Sequence, residues 1–460
     1  EAGISQRHGV ARADEKKILH ISPTASRVSE SDLQIFSAGL STPPASTTKY
    51  VPGVRPATST ATPSNVVEQL GTTDLPENWA CYLAFNAVFM NESTFKSIKP
   101  EEREALLTWV RTGGWLTLYG STEPKKETLM LGTLQRQVEN PLHQKMTENA
   151  NGWMKNQVLW KSKVNEGAGM PYPIKKGQGT TSALVVAAIF CIVAGPGNYL
   201  YCRRKKSIHL LLYTLPSLSI LFCLLIAAQF VLSKGLSRTG NSVSLTLLDE
   251  ATNSGITLSK HVFYSGLYPL RGFHFNAQTA LYFPHPDEER SRGYGNKRSF
   301  VMDVSQDQHL KNGLFVPNTT FDYMTVLPFK TRERLVLDEA ALTVMNGFEK
   351  VITQLLLKVG DQYYEARDIQ PGAKVTLTSY TPTAGADPSL CQKFAKAFLD
   401  QAGSQYLRDQ EKFCSPTFSS SRVQYMMQLS APLASAEPGI VFSAGSKTCN
   451  LLIGSIGETK

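Results

Sequence analysis

The sequence predicts a multidomain protein. An N-terminal α/β domain on a parallel sheet is followed by two transmembrane helices and a mainly β, sandwich-like C-terminal region with one added helix. Three observations carry this. Two long apolar runs lie mid-chain, at residues 180–201 and 208–233. Ahead of them, a strand-like, a helix-like and a second strand-like stretch follow one another, as in a βαβ unit with parallel strands. Behind them, short alternating stretches recur between turn signals, as in a β-sandwich.

At 460 residues the chain exceeds one ordinary domain. With 42% hydrophobic and 18% charged residues it has the composition of a folded protein. Mean hydropathy stays slightly negative, at −0.17, despite the apolar runs, so the remainder is ordinary water-soluble sequence. The net charge of +9 is dispersed, with one dense basic cluster at Arg203, Arg204, Lys205 and Lys206. Nucleic-acid binding needs a basic face with stacking aromatics, so no nucleic-acid partner is expected. The chain begins at Glu1, which leads us to expect a processed form or a fragment with any export signal upstream.

Residues 1–161 form the expected α/β domain. Residues 41–65, rich in Ser, Thr, Pro and Ala, read as a long loop or insertion. Residues 82–90 are apolar and suit a buried strand. Pro100 fits the first position of a helix, with Glu101 and Glu102 favourable at its N-terminal end. Ala105, Leu106, Trp109 and Val110 supply its apolar face. Gly113 and Gly114 can cap it, and Trp115–Tyr119 reads as the next strand. Residues 162–179 form the expected linker.

Each apolar run is long enough for a bilayer, which needs about 20 apolar residues. Residues 180–201 and 208–233 thus form a helical hairpin around the turn 202–207. Gly195-Pro196-Gly197 interrupts the first helix, because proline removes a backbone donor. Tyr199 and Tyr201 suit an interfacial belt, and Pro216 bends the second helix. Short cytoplasmic loops are enriched in Lys and Arg. The basic turn is therefore expected in the cytoplasm, with both soluble regions across the membrane, on the periplasmic or extracellular side of a bacterial inner membrane.

Residues 240–460 form the β-rich region. Ser242–Leu248, residues 278–283 and residues 374–378 alternate, and Val351–Val359 with Gln362–Ala366 predicts a hairpin around Gly360-Asp361. Asp387 and Pro388 can start a helix near 388–412, with Leu390, Phe394, Phe398, Ala402 and Tyr406 on its packed face.

Cys191 and Cys223 lie inside the apolar runs, and Cys202 sits at the end of the first. Cys81, Cys391, Cys414 and Cys449 lie outside them, without any C-x-x-C. A Cys391–Cys414 disulfide is possible in an oxidising compartment. Cys81 precedes a strand and lacks nearby glycines, so it is expected to pack in the core rather than sit on a nucleophile elbow. His261, His274, His285 and His309 match no metal-ligand spacing. The polar stretch Asp287–Arg298 suits a hairpin tip. Asn91-Glu92-Ser93 and Asn318-Thr319-Thr320 match the glycosylation acceptor pattern, which arises often by chance. No P-loop, G-x-S-x-G, H-E-x-x-H or G-x-G-x-x-G is present. Neither a catalytic residue, a cofactor nor a metal is expected.

Three islands resemble a group of uncharacterised bacterial membrane proteins. The first is Leu75-Pro76-Glu77-Asn78-Trp79 with the following strand, then Lys99-Pro100-Glu101-Glu102 and Trp109 through Trp115. The second is Gly195-Pro196-Gly197-Asn198-Tyr199 with Arg203, Arg204 and Pro216. The third is Val344-Met345-Asn346-Gly347 with Ile369-Gln370-Pro371-Gly372. The resemblance spans roughly residues 65–380. It implies an exported flavodoxin-like domain similar to class I glutamine amidotransferases, a membrane hairpin and an exported β-rich domain. The group generally lacks an evident catalytic triad, so the resemblance transfers no site residue. The expected function is that of a non-enzymatic envelope protein whose exported domains bind a partner protein or envelope ligand. The alternatives are an accessory subunit of a membrane transport or envelope complex, and an envelope hydrolase with a site assembled from distant residues.

Overall fold

Strands covered on both faces of a sheet are apolar almost throughout, and Ala87–Asn91 and Trp115–Tyr119 have that character. A computed structural model describes residues 17–22, 66–138, 178–205, 208–230, 238–265, 272–282, 301–304, 307–312, 320–360, 362–380, 423–434 and 447–456. The N-terminal unit contains β1 (Lys17–Ser22), β2 (Val66–Gly71), β3 (Ala87–Asn91), β4 (Trp115–Tyr119), β5 (Lys125–Leu129) and β6 (Gly132–Gln137). They form a six-stranded sheet in the order β2-β1-β3-β4-β6-β5. All neighbours are parallel except β5 and β6. The order reverses between β1 and β3, a topological switch point.

Two helices follow β3: α1 (Glu92–Ser97) and α2 (Pro100–Arg111). β3, α2 and β4 make the predicted βαβ unit. Pro100 opens α2, and the backbone N–H of Lys99 donates to Glu102 at 3.3 Å. Its end is a Schellman motif: Gly114 N–H donates to Trp109 O (3.1 Å) and Gly113 N–H to Val110 O (2.9 Å), with Gly113 at φ 116°. Ala105, Leu106, Trp109 and Val110 are buried in one cluster with Val88, Met90, Leu116 and Leu118. A Cβ on Gly132 would lie 1.8 Å from Val110 O, so only glycine lets β6 pass the end of α2.

The predicted strand at 82–90 is shorter than expected. Trp79–Ala84 is a 3-10 helix, and the strand begins at Ala87. The Asn78 side chain accepts Ala80 N–H, and Tyr82 donates to Pro76 O, which coils the chain before the strand. Residues three apart align on a 3-10 helix, so Trp79 and Tyr82 take the buried positions. Cys81 falls off that face and is exposed, contrary to the expected core placement.

The apolar segment contains α3 (Gln178–Ile192), a π-helical turn at Val193–Gly197, α4 (Asn198–Arg204), a 3-10 turn at Ile208–Leu210 and α5 (Leu211–Phe230). Pro196 is absorbed by the wider π turn, so the helix continues through it. Phe190 and Phe222 meet at 5.0 Å between ring centroids, joining α3 to α5. Cys202 is buried, 3.7 Å from the Asn198 carboxamide oxygen and 4.0 Å from the Thr214 hydroxyl. Two spans were predicted. Among the described residues one helix, Val185–Arg204, is long and apolar enough to cross a membrane, and a second apolar stretch, Leu211–Leu225, is shorter.

The C-terminal region is β-rich. Its first strands are β7 (Arg238–Asp249), β8 (Ser254–Ser265), β9 (Phe273–Phe275), β10 (Ala280–Tyr282), β11 (Val301–Asp303), β12 (Gln308–Asn312) and β13 (Thr320–Lys330). There follow β14 (Leu335–Asp338), β15 (Thr343–Asn346), β16 (Ile352–Val359), β17 (Gln362–Ile369), β18 (Lys374–Thr376), β19 (Thr378–Tyr380), β20 (Val423–Leu429) and β21 (Lys447–Ile456). A nine-stranded sheet has the order β10-β13-β8-β7-β21-β20-β16-β17-β19. Two three-stranded sheets, β11-β12-β9 and β14-β15-β18, accompany it. The predicted hairpin is β16–β17, turning at Gly360 with φ 59°. The stretch at 374–378 divides at Leu377 into β18 and β19, and that at 278–283 narrows to β10.

β21 pairs in parallel with β7 over Lys447–Ser455 and antiparallel with β20, joining the two halves of the large sheet. Gly454 lies under the Tyr425 ring, where a Cβ would clash at 2.3 Å. The Tyr425 hydroxyl donates to Glu250 at 2.7 Å. Burial raises the Glu250 carboxyl above the ordinary carboxylate range.

Asn346 ties the third island together. It is fully buried. Its Nδ2 donates to Lys350 O (3.0 Å) and Ile369 O (3.1 Å), and its Oδ1 accepts Phe348 N–H (2.9 Å). Its backbone carbonyl accepts Gly372 N–H at 2.8 Å. Gln370–Ala373 is a β-turn with Pro371 second and Gly372 third at φ 72°. Val344–Gly347 and Ile369–Gly372 therefore meet in space.

Residues 41–65, Asp287–Arg298 and the helix near 388–412 lie outside the described residues, as do His285, Asn318, Cys391 and Cys414. Asn346→Leu would remove the side-chain partner of three backbone groups, those of Phe348 and Ile369 buried and that of Lys350 partly so. It should lower stability by about 3 kcal/mol or more, read as a drop in the calorimetric melting temperature of the full chain in detergent. An unchanged melting temperature would contradict the role given to Asn346.

Candidate functional site

The α/β unit and the β-rich unit touch along α2 and the turn before β3. Asn78 Nδ2 donates to Ala277 O (3.1 Å), and Trp79 Nε1 donates to Gln278 O (2.9 Å). Lys330 Nζ lies 3.3 Å from Glu104. Beside these contacts is a cavity of about 330 Å³. Glu101, Glu104, Ala105, Thr108 and Arg111 of α2 form one wall. Ser254–Ile256 of β8 and Pro328–Lys330 of β13 form the other, and Glu77, Trp79 and Gln278 close one end. Gly255 is required, because the Phe329 ring lies 2.3 Å from where a Cβ would stand.

The floor is apolar and the rim charged. Glu104 sits between Arg111 (3.0 Å) and Lys330 (3.3 Å) and is compensated by both. Glu77 faces Lys99 at 3.8 Å with both side chains exposed, a pair of little energetic weight. Glu101 is exposed. The rim therefore leans acidic at its Glu77 and Glu101 end, on a chain of net charge +9. The volume sits at the lower end of small-ligand pockets, which run from about 300 Å³ upward. The lining contains neither histidine nor cysteine.

The strand-to-helix elbow between β3 and α1 is the place where an amidotransferase-type nucleophile would be sought. It carries Asn91, Glu92 and Ser93, without a cysteine. Asn91 Oδ1 accepts both the N–H and the hydroxyl of Ser93, at 2.8 and 2.7 Å. Hydrogen bonding from Ser121 and Lys96 holds Glu92 below the usual carboxylate range. Cys81 lies on the turn before the strand, and partial desolvation pushes its thiol up, away from the thiolate a nucleophile needs.

The described histidines are mostly built into the structure. His20 is buried in β1, its Nε2 3.1 Å from the Tyr119 hydroxyl, and burial lowers its pKa. His261 stacks on Tyr323 at 4.8 Å, with Nε2 3.3 Å from the Thr325 hydroxyl. His274 and His309 stack on each other at 3.8 Å. Among the described residues no three His, Cys, Asp or Glu side chains converge as they stand on a metal position. Of the basic cluster, Arg203 and Arg204 close α4, and Lys205 Nζ lies 5.3 Å over the Tyr201 ring. Lys206 lies outside the described residues.

The groove residues escaped the sequence because Glu104, Gln278 and Lys330 come from segments far apart, with no local pattern linking them. The His274–His309 pairing escaped because strand register is not readable from two short stretches.

No protein-family model matches the chain, and no curated protein matches it. Among solved structures, the yeast delta-COP-I mu-homology domain, complexed with a Dsl1 WxWxV peptide, is similar over 48% of this chain and 96% of that domain. The identity is 7% and the TM-score 0.21, too low to assign a fold.

Burial pushes His261 down to about 4, below its ordinary value of about 6.5. The unfolded chain thus binds this proton more readily than the folded one. The contribution is complete above about pH 6.5 and is lost as pH falls toward 4, a change of about 3 kcal/mol. Replacing His261 by Gln should flatten the pH dependence of stability in that window, followed by chemical denaturation. An unchanged slope would contradict the burial argument.

Proposed function

We propose that this chain is a non-enzymatic, membrane-anchored protein of the bacterial envelope whose two folded units bind a partner protein or envelope ligand. The observation that carries the reading is where the exposed apolar surface lies. Among the described residues, every exposed large apolar side chain except Val138, Val304, Val336, Leu342 and Met345 lies on α3–α5. Leu212 is 74% exposed, Ile192 65% and Ile220 63%. Water opposes such exposure by roughly 25 cal/mol per Å² of apolar surface, and a lipid interior removes that opposition.

The contact between the units favours two crossings. One unit precedes the apolar helices and the other follows them, yet Trp79 touches Gln278 and Glu104 pairs with Lys330. A single crossing would separate them by a bilayer. A hairpin, with α5 as the second limb, returns the chain to the same side. The basic residues Arg203–Lys206 at its turn favour a cytoplasmic turn, with both units on the periplasmic or extracellular side. The groove beside α2 is the surface through which a partner would be bound. The β3–α1 elbow, without a cysteine, suits an amidotransferase-like domain retained for binding rather than catalysis.

Lys205→Cys, in a background without other cysteines, tests the orientation. An impermeant maleimide should label it only after intact cells are permeabilised; labelling from outside would overturn it. Turnover of an amide or ester by the purified chain, abolished by one point substitution, would overturn the non-enzymatic reading.

A further inference from the structure

The groove beside α2 is a trough with a direction. Glu101, Glu104, Ala105, Thr108 and Arg111 recur at helical spacing, so they form one stripe of α2 along it. From Glu101 to Arg111 the stripe runs about 15 Å, at about 1.5 Å per residue. On the opposite wall, Ile256 of β8 pairs with Pro328 of β13, and Ser254 with Lys330. Ala105 and Ile256 are buried and Pro328 is half-buried, which makes the middle of the trough apolar.

Charge is distributed unevenly along it. Where α2 begins, Lys99 is shared between Glu77 at 3.8 Å and Glu102 at 3.4 Å. Glu101, next in sequence to Glu102, is exposed and has no cation paired with it among the described residues. Three carboxylates there face one ammonium. Further along, Glu104 is held by Arg111 and Lys330, one carboxylate to two cations. The trough is therefore polarised, with its negative end at the start of α2. Strand addition is not how it would be filled. β10 pairs with β13 only at Met324–Val326, and beyond that Pro328 has no N–H to give to an added strand.

We propose that the trough takes an extended peptide segment of a partner protein. A lysine or arginine of that segment lies against Glu77 and Glu101, and small apolar residues follow over Ala105, Ile256 and Pro328. At about 3.3 Å per extended residue, the stripe accommodates about four or five residues. A cation is attracted at the negative end and an acidic residue is repelled there, so charge complementarity selects the segment. Because Glu77 and Glu101 are exposed, the selection is a few-fold rather than orders of magnitude. This rests on the groove being the partner-binding surface, and it names the chemistry of what is bound.

The test uses the full chain in an uncharged detergent and a synthetic hexapeptide library of alanine, valine, proline, lysine and glutamate, with retained peptides read by mass spectrometry. Lysine should be enriched over glutamate by about threefold or more. Non-specific attraction to a chain of net charge +9 would favour glutamate, so lysine enrichment reports the trough. Glu101→Lys should reverse the preference, and Thr108→Trp, which fills the trough from its α2 wall, should abolish retention. Raising the salt to about 0.5 M should erase the lysine preference of the unsubstituted chain. Equal retention of lysine and glutamate peptides, or a lysine preference that survives Glu101→Lys or salt, would overturn the proposed class of peptide. If Thr108→Trp still abolishes retention in that case, the groove remains the binding surface. No retention at all, or retention indifferent to Thr108→Trp, would overturn both.

Discussion

Everything else in this chain is arranged around one constraint: apolar side chains on α3–α5 have no protein to cover them. Elsewhere the described apolar residues are largely buried. Trp79, Trp109, Tyr82 and Phe89 fill the α/β unit, and Tyr323, Tyr425, Phe263 and Phe348 fill the β-rich one. The helix pair makes a few internal contacts, such as Phe190 with Phe222 and Cys202 with Asn198 and Thr214, and leaves its remaining surface outward. The proposed membrane anchor rests on that exposed apolar surface.

The same constraint governs how the two units relate. The chain leaves the α/β unit, passes through the apolar helices and enters β7, yet the units meet again at Asn78, Trp79 and Glu104. Within the β-rich unit the order of strands is equally non-local. β7, which follows the helices, pairs with β21 near the end of the chain. Gly454, Tyr425 and Glu250 brace that junction, with glycine making room for a ring whose hydroxyl donates to the half-buried Glu250. The groove beside α2 flanks a shared apolar core, because one buried cluster runs from Leu106 and Trp109 of the α/β unit to Ile256, Ala280 and Val326 of the β-rich one. Its acidic lean comes from the exposed Glu101 and from Glu77, whose pairing with the exposed Lys99 is weak beside that of Glu104 with Arg111 and Lys330.

Legibility in the sequence followed the range of the interactions. The βαβ unit was readable because Pro100, the acids after it, the apolar face of α2 and Gly113-Gly114 are local signals. The β16–β17 hairpin was readable for the same reason. The strand start was misplaced because Trp79–Ala84 is as apolar as the strand itself, and the capping by Asn78 leaves no mark on hydropathy. Cys81 was misassigned with it, since a three-residue repeat buries Trp79 and Tyr82 instead. The island residue Asn346 was visible as part of a motif, but its partners Lys350 and Ile369 emerge only from the folded geometry. The groove depends on strand order and register, which pattern does not encode.

The central claim is that α3–α5 is immersed in lipid. Nitroxide labels placed at Ile189 of α3 and Leu224 of α5 in the full chain, reconstituted in vesicles, test it most directly. The account predicts high collision rates with oxygen and low rates with a water-soluble nickel chelate at both positions. Nickel accessibility at either position equal to that of a label on the exposed β-strand residue Met345 would contradict it.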